Sequence, residues 1–206
     1  NKIIYNILKT FEDNDYEAYL IGGYVRNYLI NKNKEVFDID ICTDATPKEM
    51  MDLFSEYDIK TLEYGNVMFY INDYKFEITT FRKEIKYKNN RKPIEIVYID
   101  NLEEDLKRRD FTINSICMDK DSNIIDKENG RKDLKKWLIK SIGDPYQKLE
   151  EDSLRILRAI RFATTLKFRL DYDLKQAIIK NKELLKNLSY ERKKDELTKI
   201  FASDNK

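Results

Sequence analysis

The stretch Phe37-Asp38-Ile39-Asp40-Ile41 concentrates the residue types best able to do chemistry. On a strand, side chains alternate between faces, so Asp38 and Asp40 share one face while Phe37, Ile39 and Ile41 take the other. Two carboxylates one strand-repeat apart repel each other unless a cation sits between them. Oxygen ligands of this kind suit Mg²⁺, which takes one or two carboxylates and completes its shell with substrate phosphates. An acidic, solvent-facing edge strand has the same pattern, so the pair alone decides nothing. A second strand pattern, Tyr74-Lys75-Phe76-Glu77-Ile78-Thr79-Thr80-Phe81, sets Glu77 opposite Phe76 and Ile78. If that strand neighbours the first, three carboxylates converge on one face. Such a trio is what a two-metal phosphoryl-transfer centre requires, with ions about 3.5–4 Å apart.

Residues suited to phosphate surround this stretch. Ile21-Gly22-Gly23-Tyr24-Val25-Arg26 puts a glycine pair between a strand and a helix start. Glycine lets backbone N–H groups approach a phosphate, the helix start favours its charge, and Arg26 adds a charge-assisted donor. A Gly-Gly pair is usually just a turn, and only its place before the aspartates raises it above that. Lys107-Arg108-Arg109-Asp110-Phe111-Thr112-Ile113-Asn114 adds paired arginines, though a solvated basic turn reads the same way. Arg91-Lys92-Pro93, after Asn89-Asn90, reads as a basic mobile loop. From Glu151 to Phe162, helical spacing of about 3.6 residues per turn groups Glu151, Asp152, Arg155 and Arg158 on one side. Ile156, Leu157 and Ile160 fall opposite, with Arg161 toward the flank. An ordinary salt-bridged helix surface has the same spacing.

These residues need a scaffold, and the periodicities supply one. Ile3, Ile4, Ile7, Leu8 and Phe11 mark an opening amphipathic helix, and Tyr16 to Ile21 a strand. A helix through Val25 and Leu29 follows, then a strand from Val36 to Cys42. Thr46-Pro47-Lys48-Glu49 carries a capping box with proline at the first helical position. Val67 to Ile71 and Tyr74 to Phe81 flank Asn72-Asp73 as a hairpin, Ile94 to Ile99 is a further strand, and Leu102 to Asn114 reads helical. After Pro145 the pattern is helical throughout, over 149–166, 172–188 and 192–201. The expected fold is therefore α+β, a small mixed or antiparallel sheet flanked by helices over 1–145, followed by an all-helical segment over 146–206. The chain begins without Met and stops inside a charged helix, so a fragment of a longer protein is expected.

Composition narrows the chemistry. In 206 residues, 37% are charged but the net charge is only +1, so any nucleic-acid contact must come from local basic clusters. Histidine is absent, which removes His-dependent triads, HExxH zinc sites and imidazole acid–base catalysis. Cys42 and Cys117, without a CxxC, suggest neither a zinc site nor a disulfide framework. No apolar run is long enough to span a bilayer and no signal segment opens the chain, so a cytoplasmic protein is expected. Nothing in the sequence sets an oligomeric state.

The stretches IGGYVRN, FDIDICTDATP, FEITTFR, RKP, RRDFTIN, DKENGRKDL and EDSLRILRAIRFA, in this order, resemble the bacterial class II CCA-adding enzyme and poly(A) polymerase family. That family lies within the DNA polymerase β-like nucleotidyltransferases. The likeness runs from about Tyr19 to Phe168, and LSYERKKDEL is similar to the start of the family's next helical domain. The glycine motif usually ends in aspartate, where this chain has Asn27, which can hydrogen-bond but carries no charge. The resemblance implies a nucleotidyltransferase head followed by a helical neck, with Asp38 and Asp40 holding two Mg²⁺ ions and Glu77 completing the carboxylate set. Gly22, Gly23 and Arg26 would contact the triphosphate with Arg109 close by, and Asn114 would reach the ribose or phosphates. Asp152, Arg155, Arg158 and Arg161 would form the nucleotide pocket. The partners implied are CTP, ATP and a tRNA 3′ end.

An aspartate acceptor beside an arginine donor matches a base edge with an amino donor next to a ring-nitrogen acceptor. Cytosine and adenine present that order. Guanine and uracil present the reverse, and each mismatch costs roughly 1–3 kcal/mol. The family's CC-only members have a shortened loop where this chain runs uninterrupted from Phe81 to Arg109, and ERKKDEL is nearer the CCA pattern. Poly(A) synthesis and partial CC or A addition are the alternatives within the family. A non-catalytic RNA-binding module is the alternative outside it, opposed by three acids that would repel RNA phosphate.

Overall fold

The computed structural model describes residues 1–30, 36–88 and 92–203. Contacts group the chain into two compact units. The first comprises 1–83, 96–108 and 114–128, and the second 84–95, 109–113 and 129–206. The second unit thus takes in residues upstream of Pro145.

The first unit is built on a sheet. Its elements are α1 (Lys2–Glu12), β1 (Ala18–Ile21), α2 (Gly23–Leu29), β2 (Asp38–Thr43), α3 (Pro47–Leu53), β3 (Lys60–Thr61), β4 (Asn66–Ile71) and β5 (Tyr74–Thr80). They continue with β6 (Arg82–Lys88) and β7 (Lys92–Tyr98), a separate two-stranded pair whose residues 84–95 belong to the second unit, and then α4 (Leu102–Lys107), β8 (Cys117–Met118) and β9 (Ile124–Ile125). Among the described residues, seven strands run in the order β3-β4-β5-β2-β1-β8-β9. Every pair is antiparallel except β2 with β5, which pair parallel. The mixed sheet flanked by helices is as expected. Its apolar face is closed by Ile39, Ile41, Phe69, Phe76 and Ile78, each at most 1% exposed. Helix α1 buries Ile4, Ile7, Leu8 and Phe11, and the Phe11 ring meets Phe54 edge-on at 5.1 Å. Thr46 and Glu49 form the capping box that starts α3, with Pro47 in its first turn. Asn72, at φ 53°, makes the tight β4–β5 turn.

Several expectations need correcting. Phe37 is 44% exposed and packs on Tyr74 at 5.7 Å, because the strand begins only at Asp38. The helix expected through Asn114 stops at Lys107. Arg108 caps it and ties back to Asp105, and a separate 3-10 turn covers Thr112–Asn114. The basic stretch after Asn90 is not simply a loop, since Lys92 and Pro93 open β7, which pairs with β6. Asn89, Asn90 and Arg91 lie outside the described residues.

The second unit contains α5 (Gly130–Lys135), β10 (Leu138–Ile139), α6 (Pro145–Glu151), α7 (Leu154–Leu166), β11 (Arg169–Leu170), α8 (Tyr172–Asn181) and α9 (Tyr190–Phe201). It is chiefly helical but also takes in residues 84–95 of the β6–β7 pair, and the short parallel β10–β11 pair brings a strand into the segment expected to be all-helical. The run from Glu151 to Phe162 is not one helix. Asp152 leaves it with φ −141° and ψ 101°, and its Oδ1 accepts from the Leu154 N–H at 3.0 Å, starting α7 afresh.

Candidate active site

The first unit gathers the phosphate and metal candidates. Asp38 and Asp40 lie on the exposed face of β2, with Ile39 and Ile41 buried beneath. In the parallel register Asp38 opposes Lys75 and Asp40 opposes Glu77, so all three acids share a face. They do not close into a cage. Among the described residues, no group of three or more His, Cys, Asp or Glu side chains could hold a metal ion. Glu77 instead accepts from Asn66 Nδ2 of the neighbouring β4 at 3.3 Å and from Lys75 Nζ of its own strand at 3.4 Å. Like charges on one face repel, and the longer Glu77 side chain turns to these donors. The expected convergence is thus a shared face rather than a preformed ligand set.

The glycine turn stands directly against these acids. Ile21 is the register partner of Asp40, so Gly22 follows at the same edge. Gly22 has φ 74° and ψ −131°, a conformation open in practice only to glycine. A Cβ there would lie 2.9 Å from Asp40 Oδ2. The space a side chain would fill is therefore occupied by the carboxylate, an approach only glycine permits. Arg26 is buried, and its Nη1 donates to Asn114 Oδ1 at 2.6 Å while Nη2 reaches Asn27 Oδ1 at 3.3 Å. A Cβ on Gly23 would touch Nη2 at 3.7 Å, which places the guanidinium over the turn. Asn114 and Asn27 thus both orient Arg26. A divalent cation fits this donor set, since two exposed carboxylates leave coordination places for phosphate oxygens.

A cavity of about 250 Å³ also belongs to this unit, lined by Glu12, Tyr16, Ala18, Tyr19 and Lys120 among others. It sits by Ala18, at the other end of β1 from Gly22. Burial, with Glu17 alongside, pushes the Tyr19 hydroxyl up to about 12. Cys42 and Cys117 are buried with Ile21, Phe81 and Leu106.

The second unit holds the base-recognition candidates. Arg155 is only 6% exposed, whereas Ile160 is 37% exposed, so the face expected to be polar is partly the buried one. Arg155 Nη1 donates to the Lys148 carbonyl at 2.9 Å and to Glu151 Oε2 at 3.3 Å, which offsets its burial. Burial pushes the Asp152 carboxyl above the usual carboxylate range, with the Arg155 and Arg158 charges pulling the other way. Arg158 contacts Asp110 Oδ2 through Nε and Nη2, both at 2.7 Å. Desolvation works against its charge, but the Asp110 carboxylate outweighs it and holds Arg158 above its ordinary value. Arg161 stacks on the Phe162 ring at 4.1 Å and donates to Glu196 of α9 at 2.6 Å. Asp152, Arg155 and Arg158 therefore form one electrostatic group, while Arg161 is directed to α9. Arg109 is partly buried and is grouped with the second unit.

Sequence reasoning passed over Asp110, Glu196, Asn66 and Arg82. Asp110 stood within the quoted RRD motif, and charged partners at buried positions are the signal that would have marked it.

A sheet-borne pair of acids beside a glycine turn, with an arginine bent over it, is the equipment of a nucleotidyltransferase head. Residues 18–140 match the family model described as "Poly A polymerase head domain". By that match the chain belongs to this family. Residues 167–205 match "Probable RNA and SrmB- binding site of polymerase A". Among curated proteins, the CCA-adding enzyme of Lactobacillus helveticus (strain DPC 4571) is 44% identical over 94% of this chain and 48% of its own length. That of Bacillus pumilus (strain SAFR-032) is 43% identical over 95% and 48%. Among solved structures, the Bacillus stearothermophilus CCA-adding enzyme in complex with CTP aligns with TM-score 0.84 and 33% identity, over 98% of this chain and 48% of that one. A tRNA nucleotidyltransferase complexed with a primer tRNA and an incoming ATP analog aligns with TM-score 0.77 and 28% identity, over 97% and 57%. The chain spans about half the length of the curated relatives it matches. The family points to a divalent metal cofactor. No helix among the described residues is long and apolar enough to cross a membrane.

Proposed function

We propose that this chain is the catalytic end of a cytoplasmic tRNA nucleotidyltransferase that adds C and A, from CTP and ATP, to tRNA 3′ ends. No nucleic-acid template is needed. The reaction is in-line attack of the RNA 3′-OH on the α-phosphorus, with pyrophosphate leaving. Residues 1–145 act as the head and 146–206 as the nucleotide-recognising neck and the start of a further helical domain.

Asp38 and Asp40 would hold two Mg²⁺ ions, with Glu77 as the third acid. When bound, the metal supplies activation of the attacking hydroxyl and neutralisation of the leaving charge, so no histidine is required. The backbone at Gly22 and Gly23 approaches the triphosphate, and Arg26, steadied by Asn114, offers it a fixed positive charge; Arg109 adds a second. Asp152 and Arg155 read the amino and ring-nitrogen edge shared by cytosine and adenine. Arg158 and Arg161 complete the pocket wall. The observation that carries this reading is the Asp40–Glu77 register pair on the Asp38 face, with Gly22 backed against the Asp40 carboxylate.

The test offers each labelled nucleotide separately, then all together, to tRNA lacking its 3′ end, with and without Mg²⁺. Metal-dependent incorporation of C, then A, stopping at CCA, is the expected result. RNA retention without incorporation would reduce the chain to a binding module, and unlimited A addition would make it a poly(A) polymerase. In the same assay, Arg155→Ala should admit UTP and GTP, and undiminished exclusion of both removes the pocket assignment.

A further inference from the structure

Glu77 is held from behind by a chain of polar contacts that no part of the proposed reaction uses. Its Oε1 accepts from Asn66 Nδ2 at 3.3 Å, and Asn66 Oδ1 accepts from Arg82 Nη1 at 3.0 Å. An amide has one acceptor end and one donor end. With its oxygen taken by a guanidinium, the Asn66 amide can only present N–H to Glu77. Arg82 is itself fixed. It is 7% exposed, its Nη1 also donates to the Tyr64 carbonyl at 2.8 Å, and its backbone N–H donates to Asp105, which is fully buried. Its guanidinium lies 5.5 Å from the centre of the Tyr64 ring.

The backbone delivering Asn66 is equally constrained. Tyr64 and Gly65 take φ of 61° and 77°, two consecutive left-handed residues just before β4. A side chain at Gly65 would collide with the Tyr98 hydroxyl. Such a turn persists only where its surroundings over-determine it. The other Glu77 oxygen, Oε2, meets Lys75 Nζ at 3.4 Å, and both side chains are 33% exposed. One oxygen is thus pinned from the scaffold side and the other paired with a lysine that water reaches.

We propose that Asn66 and Arg82 are positioning residues for Glu77. Arg82 sets the orientation of the Asn66 amide, the amide holds Oε1, and Oε2 is left to exchange Lys75 for a divalent cation. This rests on the reading that Glu77 is the third metal-binding acid. Without the amide donor the carboxylate must be ordered when the ion binds, and that cost appears as weaker metal affinity.

The test compares the full chain with Asn66→Leu, Arg82→Lys and Glu77→Gln. Mn²⁺ binding is followed by electron paramagnetic resonance without substrate, alongside the Mg²⁺ dependence of incorporation, the KM for CTP and the melting temperature. Asn66→Leu and Arg82→Lys should each weaken Mn²⁺ binding about tenfold, the scale found when groups behind metal ligands are removed, and raise the Mg²⁺ requirement in parallel. The KM for CTP at saturating Mg²⁺ should stay within about twofold, since the residues act only through Glu77. If Glu77→Gln binds Mn²⁺ weakly but the other two match the unaltered chain, the positioning role is overturned while the metal role of Glu77 stands. If Glu77→Gln also binds normally, both fall. Affinity lost only in step with the unfolded fraction also overturns the proposal.

Discussion

The two units treat charge in opposite ways. In the first unit Asp38 and Asp40 stand on an exposed strand face. In the second, the charged groups are paired within the protein: Arg158 with Asp110, Arg155 with Glu151, and Arg161 with Glu196, each contact involving a largely buried partner. Charge on a water-facing strand costs less to keep than charge in the interior. Charge already paired cannot be redirected cheaply, because stranding one member of a buried pair is expensive. The second half therefore suits discrimination by fixed shape and fixed donors, and the first suits transient binding of highly charged species.

This contrast can be broken by substitution. Asp38→Ala or Asp40→Ala should reduce incorporation by about 10³-fold or more, on the scale of losing a group that stabilises transition-state charge. The melting temperature should hold or rise, because repulsion is relieved, and wild-type-like turnover would remove the metal-site assignment. Gly22→Ala should follow, with incorporation down about 10- to 100-fold. Holding an L-residue in this glycine-only conformation costs roughly 1–3 kcal/mol, and the new methyl displaces the Asp40 carboxylate. If Gly22→Ala were fully active, the close approach would have no functional weight.

In the second unit the dominant effect should be on stability. Asp110→Ala strands Arg158, whose side chain is one-third exposed, so the loss is about 1–3 kcal/mol once discounted for solvent. That corresponds to a melting-temperature drop of roughly 2–12 °C. An unchanged melting temperature would erase the contrast between the halves. The smallest effect concerns Asp152, whose folded carboxyl titrates above its ordinary value because it is buried. Below the unfolded value both states are protonated. As pH rises above it the unfolded state ionises first, so stability falls until the folded group ionises as well. Urea midpoints across pH 4 to 6 should therefore fall less steeply for Asp152→Asn than for the unaltered chain, and parallel curves would contradict the assignment.

The strands and caps of the first unit were legible because alternation and the Thr46-Pro47-Lys48-Glu49 signal are local. Adjacency of β2 and β5 was not, since their parallel pairing has no local signature, and the three-acid face rested on assuming it. The break at Asp152 was invisible for a related reason. Hydrophobic spacing continues through it, and neither proline nor glycine marks the point where a side chain takes over the capping. Helical spacing left Arg155 open between an ordinary salt-bridged surface and a pocket, whereas its burial depends on Glu151 and the Lys148 carbonyl, which only the fold at the α6–α7 junction supplies.

The parallel pairing of β2 with β5 has a consequence during synthesis. Parallel neighbours cannot be joined by a tight turn, and here α3, β3 and β4 intervene. Asp40 meets Glu77 only after that whole crossover has closed, and the entropy of closure falls on this one step. A nascent chain leaving the ribosome thus carries its two aspartates without their third acid until β5 has emerged, which ties the birth of the acidic face to the sheet's last central strand.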